Sequence, residues 1–192
     1  MKKKLLSLGL FAALSFTACN SGGPEAGEQK YEVMTLYGAW QARVDETRAK
    51  VGTIETQESS FLKYEFDSLD RNVFDSPYPY WDQIQVFLNK KGIQKAKLFA
   101  NATKSLMTEE FYFEDGHLIY AQIEPDGIHT TEADSIFRGE QFFFTQQALV
   151  LAIDAKGKRR DITDDSVKIK GVDLIHEADQ IKQIIASKQI KL

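Results

Sequence analysis

The residue types that most often carry acid–base or nucleophilic chemistry are few in this 192-residue chain. The three histidines are His117, His129 and His176, and the single cysteine is Cys19. We expect His117 to follow a hairpin turn and His176 to begin a C-terminal helix, each as an exposed or capping side chain. The sequence has no G-x-S-x-G nucleophile motif and no glycine-rich phosphate loop. We therefore expect no catalytic residue and no enzyme.

One acidic segment, EPDGIHTTEAD at residues 124–134, gathers residue types that bind metal ions. Its candidate ligands are Asp126, His129, Glu132 and Asp134, because carboxylate and imidazole groups coordinate cations. Their spacing matches no established calcium loop, and polar residues are also expected where two hairpins join. We interpret the segment as a solvated connection and expect neither a metal nor a cofactor.

A second segment, SPYPYWDQ at residues 76–83, has aromatic residues that could bind a ligand through their rings. Its prolines hold the backbone extended, and Tyr78, Tyr80 and Trp81 are large rings with polar tips. Exposed rings of this kind can stack on a sugar or grip a peptide. The alternative, which is the commoner role of such rings, is that they close the edge of the hydrophobic core.

Cys19 lies at the end of a segment that has the pattern of an export signal. Lys2 to Lys4 precede an apolar stretch from Leu5 to Ala18, which is shorter than the about 20 residues that span a bilayer. Ala18-Cys19 resembles the lipobox of bacterial lipoproteins, in which the cysteine is acylated and becomes the new N-terminus. This resemblance implies that a lipid on Cys19 anchors the protein to a membrane.

The residues after Cys19 indicate a location and a tether. In known lipoproteins an aspartate after the cysteine favours the inner membrane; Asn20 at this position implies the outer membrane. Surface display is associated with an acidic cluster that residues 21–23 lack, so we expect the periplasmic face. We predict a signal peptide at 1–18, a flexible tether at 19–29 and a single α+β domain at 30–192.

The charge balance bears on possible partners. The chain has 24 Lys and Arg residues against 28 Asp and Glu residues, a formal net charge of −4. Nucleic-acid binding needs clustered positive charge, whereas this chain is acidic overall. We therefore expect no nucleic-acid partner.

Two segments have the spacing of amphipathic helices. The apolar face of the first, predicted to pack on the domain's own sheet, consists of Val33, Tyr37, Trp40, Val44, Thr47, Val51 and Ile54. We expect Gly52 to mark its end, because glycine disfavours helix. The second has Leu174, Ala178, Ile181 and Ile185 at helical spacing, and Asp161, Asp164 and Asp165 before it are candidate capping residues.

Between the helices the sequence predicts antiparallel hairpins. IQVFLNKKGIQKAKLFA at 84–100 should turn at residues 89–92, and EEFYFEDGHLIYAQIE at 109–124 should form a type I′ turn at Asp115-Gly116. The second hairpin is partly repeated at 142–151, where Gln146-Gln147 replaces Asp115-Gly116. The expected fold is α+β: an antiparallel β-meander of about six strands flanked by a long N-terminal helix and a C-terminal helix.

Consecutive aromatic residues in the strands place rings on both faces of this sheet. If the helices cover one face, rings such as Tyr112 and Phe143 on the other face need another cover or form an exposed patch. These two residues join Tyr78, Tyr80 and Trp81 as possible ligand-binding residues. We interpret the protein as a non-catalytic module that binds an envelope protein or an apolar ligand. The alternatives are a purely structural lipoprotein and a glycan-binding one that uses the aromatic segment.

The combined features resemble uncharacterised Bacteroidota-type lipoproteins. The motifs that carry the resemblance are an F-Y-F-x-[DN]-G-x-L-I hairpin at 111–119, a Phe-rich hairpin at 142–151 and a D-x-x-G-K motif at 154–158. The resemblance implies the α+β fold and the envelope location. It implies no activity and no catalytic residue.

Overall fold

The computed structural model describes residues 26–67, 81, 83–99, 107–124 and 136–190 of the chain. The chain divides into two compact units, Met1–Trp40 and Gln41–Leu192, and the boundary lies within the first helix. In the first unit the described residues, 26–40, are helical. The second unit contains the rest of that helix, the sheet and the C-terminal helix.

The elements follow one another simply along the chain. Helix α1 spans Ala26–Gln57 and is followed by a 3₁₀ turn at Glu58–Ser60. The strands are β1 (Leu62–Asp67), β2 (Gln83–Asn89), β3 (Gly92–Phe99), β4 (Met107–Glu114), β5 (His117–Ile123), β6 (Gln141–Thr145) and β7 (Ala148–Ile153). Helix α2 spans Asp165–Ser187.

The seven strands form one sheet in the order β1 to β7, and each strand pairs antiparallel with the next. The predicted α+β meander between two helices is confirmed. The strand that the sequence analysis did not predict is β1. Its sequence, LKYEFD, alternates apolar and charged residues, which is the pattern of a half-buried strand.

The β4–β5 and β6–β7 hairpins have the same kind of turn and the same kind of register shift. Asp115 and Gly116 have φ angles of 49° and 78°, as the predicted turn requires, and Gln146 and Gln147 have φ angles of 50° and 61°. The strand register shifts between Tyr112 and Phe113, and again at the equivalent step in the next hairpin. The partial sequence repeat therefore encodes a repeated hairpin, although its second copy lacks glycine.

Helix α2 packs on one face of the sheet and forms the apolar core with it. Leu174, Ala178, Ile181 and Ile185 are buried there, as their spacing predicts. The side chain of Asp164 caps the helix by accepting a hydrogen bond of 2.9 Å from the Ser166 backbone N–H.

A buried ion pair joins this helix to the sheet. Lys170 of α2 lies 2.7 Å from Glu109 of β4, and both side chains are almost inaccessible to solvent. The same helix approaches β7 closely, since a Cβ atom at Gly171 would lie 2.8 Å from Leu149 Cδ2. Gly171 therefore permits the close helix–sheet contact.

The part of α1 that belongs to the second unit lies on the opposite face of the sheet. Its side chains contact Tyr112 and Gln141, which alternate along their strands with the residues that face α2. Val44 and Ile54 are buried and Thr47 and Val51 are half-buried, in agreement with the predicted apolar face. Val33 and Tyr37 are not among the side chains described.

Two predicted bounds of α1 were wrong. The helix begins at Ala26, inside the predicted tether, because AGEQ continues directly into the helical segment. It also continues past Gly52 to Gln57. A glycine in an exposed helix costs only about 1 kcal/mol relative to alanine, and the contacts of the helix with the sheet outweigh that cost. No helix in the described part of the chain is long and apolar enough to cross a membrane.

Candidate functional site

The rings expected on an open second sheet face are buried. Tyr112 is 3% exposed and Phe143 is 1% exposed, and Trp81 is 6% exposed. The expectation of an exposed patch at Tyr112 and Phe143 was wrong, because α1 covers the sheet face opposite α2. The burial of Trp81 agrees with the other interpretation of its segment, in which the rings close the edge of the core. Tyr78 and Tyr80 lie outside the described residues.

Under α1 the rings pack against one another across three strands. The Tyr112 and Tyr120 ring centroids are 5.5 Å apart, and those of Tyr120 and Phe143 are 5.1 Å apart. Tilted and edge-on pairs at these distances are favourable contacts of about 0.5–1.5 kcal/mol each. The second face is thus used for packing.

The most concentrated charge cluster of the described residues surrounds Lys95 of β3. Its ammonium lies 2.9 Å from Glu58 and 3.0 Å from Glu110, and it also pairs with Glu55. Three carboxylates thereby satisfy the three N–H donors of a side chain that is 1% exposed. The Tyr112 hydroxyl completes the cluster, 2.5 Å from Glu55 and 2.8 Å from Glu110.

The pKa shifts in this cluster stabilise unreactive forms. Burial by itself lowers the pKa of Lys95, but the hydrogen bond with Glu55, the charge of Glu110 and the hydrogen bond with Glu58 reverse this, so the pKa is raised. Burial, the charge of Glu110 and the hydrogen bond with Glu55 raise the pKa of Tyr112 strongly. A lysine held as a cation and a tyrosine held as a neutral phenol are poor bases and poor nucleophiles. The cluster holds the end of α1 on the sheet.

A groove runs between α1 and the turns of the β2–β3, β4–β5 and β6–β7 hairpins. It consists of two adjoining cavities of about 480 Å³ and about 410 Å³ that share Lys50, Glu114, Asp115 and Ile119. The α1 residues along it are spaced by three and four, so one face of the helix forms its wall. That wall consists of Arg43, Glu46, Thr47, Lys50, Thr53, Ile54 and Gln57.

The groove is polar and crossed by hydrogen bonds. Arg43 donates a hydrogen bond of 2.9 Å to Thr145 near one end. At the centre, the Lys50 ammonium lies 2.7 Å from Glu114 and 3.0 Å from Glu46, and these two contacts raise the pKa of Lys50. His117 lies on the opposite wall and is exposed. The groove therefore presents donors and acceptors of both charge signs to solvent.

The remaining candidate residues fall outside this groove. His176 lies in the middle of α2 and not at its start, with its Nε2 atom 3.1 Å from the Gln180 amide nitrogen. The predicted metal candidates Asp126, His129, Glu132 and Asp134 are not among the described residues. Within the part of the chain that is described, no group of three or more His, Cys, Asp or Glu side chains could hold a metal ion.

The groove and the Lys95 cluster were not found from the sequence. A usable signal exists for the cluster, because Lys95 and Lys97 alternate with Ala96 and Leu98 and must share one sheet face. The groove has no such local signal, since it depends on where α1 crosses the hairpin turns. Cys19, the predicted lipidation site, lies outside the described residues.

No protein-family model, no curated protein and no solved structure matches this chain.

Proposed function

We propose that the protein is a lipoprotein of the cell envelope that acts by binding and performs no catalysis. Its anchor is a lipid on Cys19, in the outer membrane on the periplasmic face. Its binding site is the groove between α1 and the hairpin turns, and its ligand is an extended polar segment of a protein partner. The observation that carries the proposal is the adjacency of the two cavities, which share Lys50 and Glu114 among their lining residues.

The length of the groove suits an extended peptide. The α1 residues along it run from Arg43 to Gln57, and a helix rises 1.5 Å per residue, so the groove is about 20 Å long. An extended chain of about six residues has the same length. The side chains lining the groove supply hydrogen-bond partners for a backbone, as well as charges of both signs for polar side chains.

Two observations favour this ligand class over the others. The rings that would bind an apolar ligand, Tyr112, Phe143 and Trp81, are buried. Lys95 and Tyr112 have strongly shifted pKa values, but the shifts favour their unreactive forms. Polar recognition is therefore better supported than apolar binding or catalysis.

The burial of these rings also favours a second candidate, a purely structural lipoprotein whose aromatic residues serve only packing. For the glycan-binding alternative, burial removes Trp81 from the set of stacking rings. Tyr78 and Tyr80, outside the described residues, remain as its candidate contacts.

The proposal is tested by selecting, from a library of random-sequence peptides, those that bind the full chain. Thr47→Trp fills the groove, and His117→Trp fills it from the opposite wall. Val172→Trp is the matched control, because Val172 is 64% exposed on α2, away from the groove. Circular dichroism and thermal unfolding establish that each variant is folded.

We expect the selected peptides to bind the two groove variants at least tenfold more weakly and the control variant unchanged. If the selected peptides bind all three variants equally, the peptide-binding site is not the groove. Failure to enrich any peptide would favour the structural role.

A further inference from the structure

One edge of the sheet is the outer side of β1. On its inner side β1 pairs with β2, and within the described residues no strand pairs with the other side. The opposite edge of the sheet is partly closed, because Ile153 of β7 forms a bridge with Arg159 and the Arg160 N–H donates to Ala152. Unpaired strand edges present backbone donors and acceptors that another strand can use.

The two faces of β1 differ in chemistry. Leu62, Tyr64 and Phe66 lie on the face that packs with α2, since they oppose core residues of β2. Lys63 and Glu65 lie on the other face, where the Lys63 ammonium is 3.0 Å from the Glu65 carboxylate. A strand that pairs with this edge must therefore place apolar side chains on the α2 face and charged side chains on the other face.

We propose that a second copy of this chain pairs with β1 in antiparallel fashion, so that two sheets join across a two-fold axis. Such an axis stands perpendicular to the sheet and keeps the α2 faces of both copies on the same side. Residues that oppose one another must then belong to the same face. The registers centred on Lys63, on Tyr64 and on Glu65, near the middle of β1, all meet this condition.

Charge selects one of the three registers. A seam centred on Lys63 sets two lysines opposite each other. A seam centred on Glu65 sets Lys63 opposite Asp67 of the second copy, but it also sets two glutamates opposite each other. Like charges directly across an antiparallel pair are destabilising. Only the register centred on Tyr64 sets Lys63 against Glu65 of the second copy, and it does so twice. The sequence LKYEF is therefore charge-complementary to itself when read antiparallel.

The same register covers exposed apolar surface. Leu62 is 64% exposed and lines an apolar recess of about 260 Å³ together with Tyr64, Leu88 and Ile190. In the register centred on Tyr64, Leu62 lies opposite Phe66 of the second copy. Pairing thus brings apolar residues together on one face and opposite charges together on the other.

The contact is short, so the dimer is weak. Five residues on each strand bury less than the roughly 1,200 Å² that marks the lower end of stable interfaces. Attachment of both copies to one membrane would raise their effective concentration. The peptide groove takes no part in this pairing, so the two proposals fail or succeed separately.

Charge reversal tests the register. Sedimentation equilibrium of the full chain over a wide concentration range measures dimerisation of Lys63→Glu, of Glu65→Lys and of the double reversal. We expect each single reversal to weaken dimerisation at least tenfold, because it sets like charges across the seam. A mixture of the two single variants, and the double reversal alone, should dimerise as the natural chain does.

A cysteine scan tests the geometry independently of charge. In the full chain with Cys19→Ser, Tyr64→Cys should form an intermolecular disulfide under mild oxidation, because the two copies of residue 64 lie directly opposite. Lys63→Cys and Glu65→Cys are the matched controls, since each lies diagonal to its own copy and should cross-link much more slowly.

Three results would overturn the proposal. They are a natural chain that stays monomeric at the highest concentration, a mixture of single reversals no more dimeric than either alone, and cross-linking at residue 63 or 65 in preference to residue 64. Unfolding curves identify any variant that fails to fold. The cysteine scan then decides the outcome.

Discussion

Lys95 shows how a buried charge can be kept in a sheet. Its ammonium has three carboxylate partners, and Lys97 beside it shares Glu58 at 2.9 Å. Burial raises the pKa of Glu58, but the two lysines more than reverse this and lower it. Removal of the buried member of such a group leaves its partners' charges uncompensated, which costs more than the intact group contributes.

Lys95→Met should destabilise the protein by about 3 kcal/mol at pH 7, because Glu55, Glu58 and Glu110 are then left close together. Urea unfolding monitored by circular dichroism measures the loss. The loss should shrink near pH 4, where the carboxylates of the variant become protonated. Lys97→Met is the control and should cost no more than about 1 kcal/mol, since Lys97 is 20% exposed. Equal losses in the two variants would contradict this account.

Glu140 is a buried carboxylate with a single described ionic partner. It is 3% exposed and lies 3.4 Å from the Arg160 guanidinium, and its Oε2 atom has no hydrogen-bond partner among the described residues. Burial raises the pKa of Glu140 to about 7, although Arg160 opposes the shift. The folded protein therefore binds this proton more tightly than the unfolded chain does.

The stability of the folded state should consequently fall as the pH rises from about 4.5 to about 7, as Glu140 ionises in its buried site. Glu140→Gln keeps the shape and cannot ionise. We expect this variant to be more stable than the natural chain at pH 8, by on the order of 1–3 kcal/mol, and equally stable below pH 4.5.

Thermal unfolding at pH 4, 6 and 8 measures this difference. Glu46→Gln is the control for the same change at an exposed carboxylate, since the Glu46 side chain is 67% exposed. A pH-independent effect of Glu140→Gln would mean that the carboxylate does not titrate in this range.

At the scale of elements, the two helices contain glycines in contrasting surroundings. A Cβ atom at Gly52 of α1 would meet nothing within 4 Å, whereas one at Gly171 of α2 would overlap the Leu149 side chain. Both are helical, so alanine has the same propensity advantage of about 1 kcal/mol at each. The difference between them is steric.

We predict that Gly52→Ala raises the free energy of unfolding by about 0.5–1 kcal/mol. Gly171→Ala should lower it by about 1–3 kcal/mol, because either Leu149 or α2 must move. Denaturant unfolding of both variants measures the two effects. Stabilisation by Gly171→Ala would show that the helix does not lie as close to β7 as the structure has it.

At the scale of the whole molecule, the two faces of the sheet are covered in different ways. The contact with α2 is largely apolar, with the Lys170–Glu109 pair inside it. The contact with α1 combines a few apolar residues with ion pairs and hydrogen bonds, among them Arg48 to Gln141 at 2.9 Å. Salt screens the exposed ion pairs of the α1 contact, whereas it does not weaken the apolar contact made by α2.

The predicted anchor also belongs to this scale. Cys19→Ser should move the protein from the membrane fraction to the soluble fraction, because acyl chains contribute roughly 0.8 kcal/mol for each buried CH₂ group. Mass spectrometry of the mature N-terminus of the natural chain should find residue 19 first and acylated. An unmodified Cys19 would remove the anchor from the proposed function.

Much of the fold could be predicted from local pattern. The helical spacing of Leu174 to Ile185 and the Asp115-Gly116 turn are signals that act within a few residues, and both are confirmed. Strand β1 had an equally local signal, the alternation in LKYEFD, and was missed. The Gln146-Gln147 turn lacked glycine and could be inferred only from its repeat.

The sequence by itself determined the class of the fold, since periodicity and turn chemistry are written in neighbouring residues. Only the tertiary structure decided which face each helix covers, and with it the burial of Tyr112 and Phe143 and the position of the groove. The pattern of an amphipathic helix shows that one of its sides must be buried. A sheet with aromatic rings on both faces can bury that side against either face. The choice depends on contacts between residues far apart in the chain, such as Glu55 with Lys95, which no local pattern encodes.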